Sequence, residues 1–233
     1  DSTNRLALDL AEQAGANKTW VLAETQRAGR GRHGRSWVSP PGNFYGSLLL
    51  VSPCAPEHAP QLGFVAGIAV AETMAELGLA DARIKWPNDI VVNGGKLAGI
   101  LLEGRALGRE RQAVAIGIGI NILSAPELTG VRAVSMADLG VITDRRVVFR
   151  RLSNRMAHWH KVFARGAGFL QVRQAWSDRA LAPGTQLTVR MPQGERSGRF
   201  SGIDEQGRLL LATAAGTIRL DAGDVFMTGD DNG

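Results

Sequence analysis

Four short apolar runs lie close together between Ile84 and Ile120, and more than any other stretch they limit what this chain can fold into. They cover residues 84–86, 90–92, 97–102 and 113–120, each of strand length and each bounded by Pro, Asn or Gly. Phe44–Val51 is a further run of this kind, and residues 20–24 alternate like a strand. Helical spacing surrounds them. Leu6, Leu10 and Ala14 mark a helix over residues 3–15, with Ser2 or Thr3 as its cap. Leu62, Val65, Ala69 and Met74 or Leu77 mark another over residues 61–79, ending near Gly78. Residues 145–165 and 169–180 read as two more helices, and 53–60 as a loop.

The texture changes at residues 181–184. Beyond it, residues 186–190, 198–203, 208–212 and 217–220 read as short strands separated by Pro- and Gly-containing turns, a spacing that suits a small all-β barrel. A domain boundary is therefore expected near Pro183, giving 1–182 and 183–233. The second unit is too small to bury much by itself and should pack against the first. Hydrophobic residues make up 44% of the 233 and charged ones 21%, which excludes wholesale disorder. The longest apolar run, near residues 62–71, is far short of the ~20 needed to span a bilayer. No basic-then-apolar leader opens the chain, although its first residue is Asp1 and not Met. Cys54 is the sole cysteine, so neither an internal disulfide nor a Cys cluster for zinc can form. A cytoplasmic protein without membrane contact is the expectation.

Charge is uneven. Arg27, Arg30, Arg32 and Arg35 fall within nine residues that hold no acid, and removing those four from the net charge of +5 leaves +1. A compact patch of this kind suits a polyanion such as a nucleotide better than a nucleic-acid backbone. The patch lies in Gly29-Arg30-Gly31-Arg32-His33-Gly34-Arg35-Ser36-Trp37. Its glycines let the backbone approach a ligand, its arginines offer forked donors to phosphate and carboxylate, and Trp37 could cover a ring. The bland alternative is a solvated basic loop. Neither the Walker A spacing nor a GxGxxG opening a helix is present.

Three more motifs follow. Lys85-Trp86-Pro87-Asn88-Asp89 sets Lys85 and Asn88 in fixed directions around a proline turn. Lys96 stands at the mouth of a strand that Gly99 interrupts, a mark of a bulge or of close approach by a ligand. Gly117-Ile118-Gly119-Ile120-Asn121 ends an apolar strand on an amide suited to a nucleobase edge. Each motif alone is a weak signal and reads more readily as ordinary packing.

Taken in order with Asp1-Ser2-Thr3-Asn4, these motifs resemble those of the biotin–protein ligases, and the resemblance runs through essentially the whole chain. It implies an α+β catalytic domain like that of class II aminoacyl-tRNA synthetases, with a mixed, largely antiparallel sheet, followed by a small SH3-like β-barrel. It implies ATP and biotin as substrates, with Mg2+, and a biotin carboxyl carrier domain as the acceptor. Biotin contacts fall on Ser2, Thr3, Asn4, Gln26, Arg30, Gly31, Arg32, Lys96 and Gly99. Nucleotide contacts fall on Arg30, Arg32, Arg35, Trp37, Asn88 and Asn121, with Lys96, Arg32 and Lys85 at the reacting carboxylate and phosphate. No protein ligand for a metal is implied. His33 occupies a loop position that is often another basic or variable residue.

Two other functions stay in view, lipoate attachment and a bifunctional ligase/repressor. The arginine/glycine loop matches the biotin version, and these residues carry no DNA-binding segment, so DNA binding is not expected of them; the repressor reading would need an upstream DNA-binding domain that had been removed. A plain nucleic-acid-binding module, suggested by a pI near 10.1, is the weakest reading because the charge is local. A homodimer stays open. His158 and His160 are two apart on a helix and face different ways, so they do not read as a metal pair. Cys54 reads as a small apolar filler, Trp159, Phe163, Phe169 and Trp176 as core, and Asp230 and Asp231 as a frayed tail.

Overall fold

The computed structural model describes residues 1–13, 15–108, 111–127 and 131–227. In chain order the elements are α1 (Thr3–Leu10), β1 (Thr19–Ala23), β2 (Phe44–Val51), α2 (Leu62–Glu76), β3 (Arg83–Lys85), β4 (Asp89–Val92), β5 (Gly95–Ala106), β6 (Gln112–Ile120), α3 (Arg145–Phe163), α4 (Phe169–Ser177) and the strands β7 (Gln186–Met191), β8 (Gly194–Ile203), β9 (Leu209–Thr213), β10 (Gly216–Leu220) and β11 (Asp224–Met227). The strands expected from the apolar runs are all present.

The first six strands form one sheet in the order β1-β2-β6-β5-β4-β3, and every pairing is antiparallel. Side chains alternate between its faces. Leu48, Leu50, Ile116 and Ile118 point to the α2 side and join the main core, whereas Leu49, Ala113 and Ala115 pack under Ala7 and Leu8 of α1 and under Ala11 just after it. Helix α2 is apolar all round because it is covered on both sides, by the sheet beneath and by α3 and α4 above. Leu62, Val65, Ala69 and Met74 are fully buried, as their spacing predicts.

Helix α1 departs from the sequence reading. It ends at Leu10, not near Gly15, and Leu6 is 43% exposed. The face laid on the sheet carries Thr3, Asn4, Ala7 and Leu8, a stripe offset from the one that Leu6 and Leu10 suggest. Small residues win there because the helix sits close to the sheet; Ala14 lies outside the described residues. Ser2 caps the helix, its side chain accepting from Arg5 N. A short 3₁₀ turn, Pro56–Gln61, crosses the segment read as loop.

The C-terminal strands form a second antiparallel sheet in the order β10-β9-β8-β7-β11. It adds a strand, β11, that the sequence reading did not place, paired with β7 through Val225 and Val189. Leu187, Val189, Phe200, Leu209 and Leu211 belong to the same hydrophobic core as the main sheet's helices. Trp176 of α4 meets Phe64 and Phe200 edge-on, and Trp86 Nε1 donates to Gly207 O at 3.0 Å. The small sheet thus packs on the larger part, as its size requires. Asp230 and Asp231 lie outside the described residues.

Candidate functional site

A cleft of about 390 Å³ opens on the α1 side of the large sheet, between the start of α1, the loop 29–37 and β11. Every residue expected at the site lines it: Ser2, Thr3, Asn4, Gln26, Arg30, Gly31, Arg32, Arg35, Trp37, Lys85, Asn88, Lys96, Gly99 and Asn121. These come from six separate stretches of chain, so it is the fold that assembles them.

One end is neutral and tightly bonded. The N-terminus of α1 is set on the sheet so that buried Ser47 of β2 donates to Asn4 Oδ1 (2.6 Å) and shares a hydroxyl–hydroxyl hydrogen bond with Thr3 Oγ1 (2.7 Å). Gln26 Oε1 accepts from Thr3 N at 2.9 Å, and Gln26 Nε2 donates to Ser39 Oγ at 3.0 Å. Asn4 Nδ2 donates to Leu101 O and to Glu103 Oε2 (2.8 Å). Neither Ser47 nor Glu103 was singled out in the sequence. Ser47 sits inside an apolar strand, and a buried hydroxyl there was the available signal.

The middle of the cleft is made by the sheet itself. Trp37 lies over Gly99 and Gly119, where an added Cβ would come within 2.8 Å and 2.5 Å of its ring. Only glycine at those two strand positions lets the indole settle so close, which is the close approach that Gly99 signals in the sequence. Lys96 Nζ stands 5.3 Å from the Trp37 ring centroid and 2.7 Å from Asp89 Oδ1.

Asp89 is the hub of the charged end, a role the sequence reading did not give it. Lys85 Nζ lies 3.6 Å from its other oxygen. Burial pushes the Asp89 carboxyl up, but Lys96, Lys85 and, more weakly, Arg32 outweigh that and hold it below the usual carboxylate range. Asp89 therefore stays ionised and fixes both lysines. Lys85 is itself buried and also donates to Val225 O at 2.9 Å, so it ties the sheet to β11. The two asparagines carry structural bonds as well: Asn88 Nδ2 donates to Ile100 O at 2.7 Å, and Asn121 Nδ2 to Val134 O at 3.1 Å.

The arginine loop closes on itself through an antiparallel bridge between Arg30 and Ser36, with Gly31 N bonded to Arg35 O and Trp37 N to Gly29 O. His33 at its tip has φ +54° and Gly34 φ +75°. The loop contains no acid, yet its charges are not left alone. Arg30 pairs with Glu103 at 3.0 Å, Arg35 with Asp224 at 2.7 Å, and Arg32 Nη1 reaches Asn88 Oδ1 at 3.3 Å and Gly223 O at 3.2 Å. Burial lowers the proton affinity of Arg32 from its ordinary value, against the opposing pull of Asp224 and Asp89; a guanidinium stays charged regardless. Five cations against Asp89, Glu103 and Asp224 leave the cleft suited to an anion.

Outside the cleft, the bland readings hold. Cys54 is buried, and burial raises its thiol pKa. Phe163, Phe169 and Trp176 are core. Among the described residues no group of three His, Cys, Asp or Glu could hold a metal, and no helix is long and apolar enough to cross a membrane.

This fold and this cleft define a class. The chain belongs to the biotin/lipoate A/B protein ligase family, which its residues 1–121 match. Residues 184–228 match the biotin protein ligase C terminal domain. The chain is 42% identical to a biotin–[acetyl-CoA-carboxylase] ligase of Paracoccus denitrificans, over 98% of each. It is 34% identical to a bifunctional ligase/repressor of Bacillus subtilis, over 96% of this chain and 70% of that protein. Among solved structures it is similar to the Aquifex aeolicus biotin protein ligase in complex with biotin and ATP, with a TM-score of 0.79 and 29% identity over 97% of this chain and 94% of that one.

Proposed function

We propose that the chain is a biotin–protein ligase that activates biotin with ATP and passes it to a lysine of a biotin carboxyl carrier domain. The observation that carries this is the make-up of the cleft: a neutral hydrogen-bonding end at Ser2, Thr3, Asn4 and Gln26 joined directly to a cationic end at Lys96, Arg30, Arg32 and Arg35. Biotin has the matching polarity, a ureido ring at one end and a carboxylate at the other. ATP, taken as its magnesium complex, fits the cationic end.

In the first step a biotin carboxylate oxygen bonds to the α-phosphorus and pyrophosphate leaves. Both reactants are anions, so the cations supply what the reaction lacks, charge neutralisation in a fixed geometry. Asp89 holds Lys96 and Lys85 in place for this. In the second step the acceptor lysine's amine bonds to the activated carbonyl and AMP leaves. Positioning carries most of that step, and the arginine loop and Trp37 shield the adenylate from water. Asn88 and Asn121 stand at the nucleotide end. Residues 1–182 serve as the catalytic part and 183–233 as a C-terminal part that completes the cleft wall with Val225 and Phe226.

Mass spectrometry of a carrier domain incubated with the chain, ATP and either biotin or lipoate tests the reading. One lysine gaining a biotinyl mass is the expected result. Gain of lipoyl with no biotinyl product would overturn it in favour of lipoate attachment.

A further inference from the structure

The arginine loop is held at its tip by a part of the chain 189 residues away. Arg35 Nη2 meets Asp224 Oδ1 at 2.7 Å, and His33 Nε2 lies 3.8 Å from the same oxygen. Beside them, Arg32 Nη1 donates to the carbonyl of Gly223, and beneath, Lys85 Nζ donates to that of Val225. Gly223 and the first two residues of β11 therefore receive the loop and the floor of the charged end together. Asp224 is the fixed partner. It belongs to β11, pairs with Arg190 across the sheet, and its side chain is 28% exposed where that of Arg35 is 55%.

We propose that Asp224 is a positioning residue of the cleft: it latches the arginine loop closed over the nucleotide end by holding Arg35. The proposal deepens the ligase reading and rests on it for the identity of what is retained. The loop has no acid of its own, three of its residues are glycines, and its cations repel one another, so an outside carboxylate is needed to favour one closed arrangement. A half-exposed ion pair contributes little to global stability. Its effect falls instead on the local opening of the segment it holds. Glu103 anchors Arg30 at the other end of the loop but belongs to the large sheet, so of these two carboxylates Asp224 is the one that makes closure depend on the C-terminal part.

The test uses the full chain and two readouts. The first is the rate of tryptic cleavage within residues 29–37 in the absence of ligand, and the second the rate at which labelled biotinyl-adenylate escapes after formation. Asp224→Asn should speed both about threefold, the size expected for a half-exposed pair. Asp224→Glu should restore both to near the parent rates. Biotin affinity without ATP and the thermal midpoint should not move in either variant, which a merely structural role would not allow. Parent-like cleavage and escape in Asp224→Asn would overturn the latch, and so would equal damage in both variants with a lowered thermal midpoint. A parent chain that forms no adenylate would overturn the ligase reading instead, a result separable from equal tryptic cleavage, which would sink the latch alone.

Discussion

The two ends of the cleft are built by different means. At the neutral end, Ser47, Thr3 and Asn4 are short, buried side chains on β2 and α1, joined to one another and to half-buried Gln26 by hydrogen bonds of 2.6–3.2 Å. At the charged end, long arginines on a glycine-rich loop meet single carboxylates borne by other elements, with 41% and 55% exposure at Arg30 and Arg35. Lys85, Lys96 and Asp89 lie between these extremes, charged like the loop yet much less exposed than its arginines. A preformed end holds one ligand shape at little ordering cost, whereas an adjustable charged end can open to admit a second substrate and close on the product.

Substitutions along the cleft should grade from rigid to adjustable. Asp89→Asn is expected to have the largest effect, about 3–5 kcal/mol of lost stability in urea unfolding at pH 7, because it leaves Lys85 buried without its charge partner. The same group sets an acid limb. Its carboxyl is held below the usual range, so its stabilising contribution is complete above the ordinary Asp value of about 3.9 and is lost as pH falls through the lowered folded value. In Asp89→Asn that part of the acid limb should vanish; an unchanged limb would mean other carboxylates dominate it.

Next in size is Lys96→Ala. Removal of a preorganised charge aimed at the reacting carboxylate and phosphate should slow single-turnover pyrophosphate release by about 3–4 kcal/mol in barrier, while biotin affinity falls far less. Equal adenylate rates for variant and parent would show that Lys96 serves only to pack on Trp37. Ser47→Ala should follow at about 1–3 kcal/mol of biotin affinity by calorimetry, since Thr3 and Asn4 lose the hydroxyl that orients both. The smallest effect is expected at Arg30→Ala, with adenylate formation slowed little. Its pairing with Glu103 is partly exposed, so the loss should appear as escape of the intermediate, seen as biotinylation of bystander proteins on a blot. Alongside it, amides of residues 29–37 should exchange faster without ligand than with it; equal protection would make the charged end as rigid as the neutral one.

Much of this was legible beforehand because strands and motifs are local. The run Phe44–Val51 was read at its true bounds, and the four runs between Ile84 and Ile120 fell on β3 to β6, since apolar runs cut by Pro and Gly leave few other conformations. The buried stripe of α1 was misread because Ala7, Ala11 and Asn4 are chosen by the sheet beneath, not by hydrophobicity along the helix. β11 was missed because a four-residue strand containing Asp224 has almost no pattern until β7 supplies its partner.

Which residues can bind anions, hydrogen-bond a polar ring or yield to a close-packed indole is a property of side-chain type and spacing, and the order of amino acids alone determined it here. What neutralises those charges was decided by tertiary structure. Glu103, Asp89 and Asp224 stand 73, 4 and 189 positions from Arg30, Lys85 and Arg35, and the pairing of β11 with β7 brings the farthest of them into place. The physical reason is range. Propensity and periodicity act over a few residues, whereas an ion pair depends on a separation in space of a few ångströms, which chain order does not specify.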